Sequence, residues 1–187
     1  MHSRRLGARP LWDLLLKGGV NASYYWSHGA EGMLSADLSY ADFFEETQYA
    51  AMREIHDKLG PLLRETPVAR TGFAVYYSRA NEHIHSEDVR FGTPGASRDA
   101  LVSFSEKLGI PAWFVSKRTV ADNALVDDNV NILFLTQAEA LPDTTAQRLR
   151  DWVRDGGVLV ADIRTGLRNG RGAPRDTGIL DALFGIE

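Results

Sequence analysis

With 187 residues the chain is long enough for one well-cored domain and hardly long enough for two. Hydrophobic residues at 44% and charged residues at 25% exclude disordered and collagen-like classes, and a net charge of -4 offers no broad positive field to nucleic acid or an anionic membrane. The absence of cysteine removes disulfides, thiolate zinc sites and every cysteine nucleophile.

The opening "MHSRRLGARPLWDLLLKGGV" is basic and then apolar, but Asp13 and Lys17 interrupt it too early for a signal peptide or a spanning helix, so the expectation is a cytoplasmic protein. Leu11, Leu14 and Leu15 at helical spacing predict a helix that Gly18 and Gly19 stop, followed by a strand in "VNASYYW" and a loop over about 27–40. From about Tyr40 to Arg64, Phe43, Phe44, Met52, Ile55, Leu59, Leu62 and Leu63 form the stripe of a long helix, broken near Gly60 and Pro61.

"TGFAVYYS" predicts a strand buried on both faces, as parallel sheets require. A helix follows from about Ser97 to Leu108, then a strand in "AWFVS", a short helix after Thr119, a strand in "NILFLT", a helix from Asp143 to Arg154 and a strand in "GVLVAD". Strands alternating with helices of about ten residues indicate βαβ units on a parallel sheet. Asp143 is placed for an N-cap after Pro142, and Gly156 with Gly157 ends its helix. "DTGILDALFGIE" predicts a closing helix with Ile179, Leu180, Leu183 and Phe184 turned inward.

The stretch from about Val68 to Ile186 resembles the β-galactosidase trimerisation domain, the middle domain of glycoside hydrolase family 42 and its relatives. "FAVYYS", "NILFLTQAEALPDTTAQRLRDWVRDGGVLVAD" and "RTGLRNGRGAPRDTGILDALFGI" carry the likeness. It implies an α/β three-layer parallel sheet, flavodoxin-like and of the class I glutamine amidotransferase kind, over residues 67–187. Residues 1–66 then look like the C-terminal remnant of a (β/α)8 glycosidase barrel, an N-terminal helical remnant of a TIM barrel, so the chain resembles a fragment. The implied role is non-catalytic: oligomerisation with copies of itself, as a trimer, with no cofactor.

The two carboxylates of a retaining glycosidase, about 5 to 5.5 Å apart, lie on earlier barrel strands in that family, so no catalytic residue is assigned. Glu31 resembles a sugar-contacting glutamate of the family, although Leu34 stands where a histidine is expected; a solvated loop carboxylate is the plain alternative. Trp26 ends a strand and would offer a flat apolar face to a sugar ring in a complete barrel, or else fill a core. "VYYSRAN" presents Ser78 without the glycines of a nucleophile elbow.

"NEHIHSED" sets His83 and His85 two apart among acids, so in an extended segment both rings could face one metal. His28 and His56 stand alone. The arginines of "RTGLRNGRGAPRD" match no phosphate-loop spacing; Arg164 and Arg168 are expected to meet acids of a neighbouring subunit. A second class of function is a carbohydrate or small-molecule binding module, using the crevice at the strand ends near Ser78, Thr136 and Asp162.

Overall fold

The computed structural model describes residues 50–66, 70–84 and 92–186. The chain divides into two compact units, Met1–Ala69 and Arg70–Glu187.

In the first unit the described residues are helical: α1 (Ala50–Glu54), a π-helical stretch (Ile55–Leu59) and α2 (Gly60–Glu65). Pro61 lies at the start of α2 and has no N–H to give to the preceding turn. The expected break at Gly60 and Pro61 therefore takes the form of a widened turn rather than a stop.

The second unit contains a parallel sheet of β1 (Phe73–Tyr77), β2 (Trp113–Ser116), β3 (Ile132–Leu135) and β4 (Val158–Ala161), in the order β2-β1-β3-β4. Helices α3 (Arg79–Ile84) and α4 (Pro94–Lys107) lie between β1 and β2. The link from β2 to β3 carries α5 (Lys117–Ala121) and α6 (Ala124–Asp127). Helix α7 (Asp143–Arg154) joins β3 to β4, and α8 (Asp181–Phe184) closes the chain.

Local chemistry explains the ends. The Thr93 hydroxyl accepts the Ala96 N–H at 3.1 Å and Pro94 opens α4, so this helix starts three residues before the apolar pattern suggests. Ser116 and Thr119 make a reciprocal capping box that turns β2 directly into α5. Pro142, rather than Asp143, takes the N-cap position of α7; the Asp143 carboxylate instead receives the guanidinium of Arg175.

Every second residue of the sheet turns to one face. On one side Ala74, Tyr76, Val115, Leu133 and Leu135 pack with Val120, Leu125, Ala146, Leu149 and Trp152 into the main core. Leu180 is fully buried there, and Ile179, Leu183 and Phe184 pack against it, as the apolar pattern of the last segment predicts. At the entry to this unit Arg70 pairs with Asp128, and its guanidinium lies 4.1 Å from the centre of the Trp113 ring.

One core group is poorly served. The Tyr76 hydroxyl is buried with no hydrogen bond of good geometry. Burial pushes its pKa from 10.0 up to about 12, with the nearby Thr145 and Ser78 side chains pulling the other way. The fold favours the neutral phenol, so this stabilisation is complete below pH 10 and is lost as pH rises through about 12. Tyr76→Phe is expected to leave stability at pH 7 within about 1 kcal/mol of the parent. It should also remove an alkaline loss that reaches about 1 to 1.5 kcal/mol by pH 11, roughly half of its full size above pH 12. Urea titrations at pH 7 and pH 11 check both, and an equal alkaline loss in the variant would remove Tyr76 as its source.

Candidate functional site at the strand ends

The four strands point their C-terminal ends the same way, and β1 and β3 diverge into connections that leave the sheet in opposite directions. Such a switch point is where open α/β sheets have room for a ligand. Ser78 follows β1, Thr136 follows β3 and Asp162 follows β4, so the three residues expected at this crevice do share one rim of the sheet.

The rim is tied together by its own side chains. The Asp162 carboxylate accepts the Gln137 backbone N–H at 2.5 Å through one oxygen and the Ser97 hydroxyl at 2.9 Å through the other. The Asn81 side-chain carbonyl, buried on α3, accepts the Ala140 N–H at 2.6 Å. These contacts join segments 25 to 65 residues apart in sequence.

Deeper in, the Glu139 carboxylate is only 2% exposed and accepts from Arg168 Nε at 2.7 Å and Arg164 Nη2 at 3.0 Å. Two charge-assisted bonds offset the desolvation of that anion. Arg175 reinforces the same loop. It donates to the carbonyls of Gly166 and Leu141 at 3.1 and 3.0 Å, to that of Arg168 and to Asp143. The arginine loop expected to face a neighbouring subunit thus directs Arg164, Arg168 and Arg175 into bonds within the chain.

Backbone strain collects here too. Gln137 has φ +42° and Arg164 φ +64°, left-handed values that cost a non-glycine residue about 1 to 3 kcal/mol and persist where the surroundings hold them. Both are held: Gln137 by Asp162, and Arg164 by Glu139. A hydrolytic elbow sets its nucleophile on such a strained turn. The turn after β3 carries Gln137 instead, and an amide is no nucleophile. As arranged, the two carboxylates act as fixed acceptors for backbone and guanidinium donors.

The remaining sequence candidates are separate from this rim or outside the described residues. His83 lies on α3, a helix rather than an extended segment, and His85 lies outside the described residues. Among the described residues no three histidine or acidic side chains gather as a metal set. Trp26, His28 and Glu31 lie outside the described residues. His56 is exposed on the π-helical stretch beside Asp57. Sequence patterning does not single out Asn81, Ser97, Gln137 or Glu139. Arg98, which pairs with Glu82 and sits 5.4 Å from the Tyr77 ring centre, was also missed.

No protein-family model matches the sequence, and no curated protein does. The fold has a solved counterpart. The chain is similar to the crystal structure of a β-galactosidase from Bifidobacterium adolescentis, with a TM-score of 0.53 and 18% identity over 63% of this chain and 56% of that one. At that identity the likeness is one of fold, and the chain spans little more than half the length of its counterpart. Among the described residues no helix is long and apolar enough to cross a membrane.

Proposed function

We propose that the chain is a non-catalytic structural and assembly module of a β-galactosidase-related protein of glycoside hydrolase family 42 type. In this reading the second unit is the flavodoxin-like, amidotransferase-like trimerisation domain, the first is the remnant of a (β/α)8 barrel, and the setting is cytoplasmic carbohydrate metabolism. The observation that carries it is the strand-end rim. Asn81, Ser97, Glu139 and Asp162, the groups best placed to hold a ligand or a reacting atom, are committed to bonds that fasten the chain to itself. The similarity of fold to a β-galactosidase supports the same direction.

Light scattering across a hundredfold range of protein concentration is expected to show self-association, with three copies the stoichiometry that the resemblance implies. A monomer throughout would overturn the assembly reading. The second reading, a carbohydrate-binding module, rests on the position of Ser78, Thr136 and Asp162 at the switch point. Calorimetry with galactosides separates the two, since the assembly reading predicts no heat of binding.

A further inference from the structure

The arginine loop holds the single Asn-Gly pair of the sequence. Of six asparagines only Asn169 precedes a glycine; the others precede alanine, glutamate, valine or isoleucine. Glycine presents its peptide nitrogen with no Cβ to shield it, so this is where an asparagine side chain can react with its own backbone. Packing accounts for the glycine: a Cβ on Gly170 would come within 2.8 Å of Pro142 Cγ. The fold therefore retains the pair whatever its chemistry.

The turn adds geometry to the dipeptide. The Gly172 N–H closes on the Asn169 carbonyl at 2.9 Å, and the Asn169 N–H reaches the Ala173 carbonyl at 2.8 Å. The Asn169 side chain folds back over this turn, its Oδ1 accepting the Arg171 N–H at 2.9 Å and the Ala173 N–H at 3.1 Å. Two backbone N–H groups on one carbonyl oxygen are the arrangement that stabilises an oxyanion. Among the described residues nothing accepts from the Gly170 N–H or engages Asn169 Nδ2, so the attacking and departing nitrogens are both unbound. The Arg168 guanidinium stands beside the same turn, donating to the Gly172 carbonyl at 3.0 Å. Asn169 and Gly170 are half-buried, which leaves water access to both.

We propose that this turn promotes deamidation of Asn169 through a succinimide. The Gly170 nitrogen gives its proton to hydroxide and attacks Asn169 Cγ, and the developing negative charge falls on Oδ1 between the Arg171 and Ala173 N–H groups. The Cγ–Nδ2 bond then breaks, Nδ2 takes a proton and leaves as ammonia, and a five-membered imide joins residues 169 and 170. Water opens it at either carbonyl. Attack at Cγ gives aspartate, and attack at the main-chain carbonyl gives isoaspartate. Either product adds a negative charge to a loop rich in arginine, and isoaspartate also lengthens the main chain by one carbon, which breaks the pairing of residue 169 with Ala173. The reaction thus loosens the loop as the chain ages.

The full-length chain and a free peptide of residues 166–175 are incubated side by side at physiological temperature, and the products are mapped by mass spectrometry with separation of the two acids. Asn169 is expected to convert at least about tenfold faster in the folded chain than in the peptide, giving both aspartate and isoaspartate. The rate should rise about tenfold from pH 7 to pH 8, because the attacking nitrogen must lose its proton. Gly170→Ala would disturb the contact with Pro142, so the cleaner control is Asn169→Gln, whose imide ring would be one atom larger and which should remain an amide. Conversion in the folded chain no faster than in the peptide overturns the proposal. So do aspartate without isoaspartate, loss of the other described asparagine amides at the same rate, and equal conversion of Asn169→Gln.

Discussion

Gly157→Ala destabilises the second unit by at least about 3 kcal/mol, the range for losing a large buried aromatic contact. A Cβ on Gly157 would fall within the indole of Trp152, touching Cε2, Cδ2 and Cζ2. Trp152 is buried on the inner side of α7 and belongs to the main core, so it cannot swing away without opening the seam between α7 and β4. Gly156 is glycine for another reason. Its φ of +106° is closed to side chains, yet nothing lies within 4 Å of the site where a Cβ would stand. Gly156→Ala should therefore cost only the strain of its backbone, about 1 to 3 kcal/mol. Urea denaturation of the two variants checks the order, and a Gly157→Ala within 1 kcal/mol of the parent would contradict this packing account.

The second large effect is at Glu139. Removing its carboxylate strips the shared acceptor from Arg164 and Arg168, which are 24% and 34% exposed, and a broken buried pair of this kind costs about 3 to 5 kcal/mol. The exposed part of each guanidinium can turn to water, so the lower end of that range is expected for Glu139→Ala. Arg164→Ala and Arg168→Ala should each cost less, about 1 to 2 kcal/mol, because the other arginine still holds the carboxylate. The loss should be local as well as global. Trypsin would cleave after Arg168, Arg171 and Arg175 faster in Glu139→Ala than in the parent at equal unfolded population. Equal cleavage would mean that Glu139 does not fasten the loop.

The sheet was legible because its strands are short β-branched and aromatic runs bounded by turn residues, and parallel burial makes such runs apolar on both sides. Ala74, Val75 and Tyr76 are all buried in β1, as "FAVYY" predicts. The α7 stripe, its double-glycine end and the inward side of the last segment follow from equally local rules. α3 escaped because "RANEHI" is polar nearly all round and takes its helical form directly from the end of β1. The rim escaped for a different reason. Asp162 could be placed from the end of its strand, but whether a carboxylate is buried depends on what reaches it. Glu139 meets Arg164 and Arg168 from 25 and 29 positions away, and Asn81 meets Ala140 from 59. No periodicity within a window of ten residues contains that information. The same limit applies to Arg164 and Arg168, whose pairing with Glu139 no local pattern contains.

The clamp at Arg70 bears on how the α/β unit can be separated and handled. Its pairing with Asp128 and its stacking on Trp113 tie the first residue of that unit to the connection before β3 and to the β2 edge. A boundary drawn by eye at the first strand, Phe73, would discard the residue that seals the sheet's starting end and leave the Trp113 ring bare. A boundary at or before Arg70 retains both, so an α/β fragment prepared on its own should begin there.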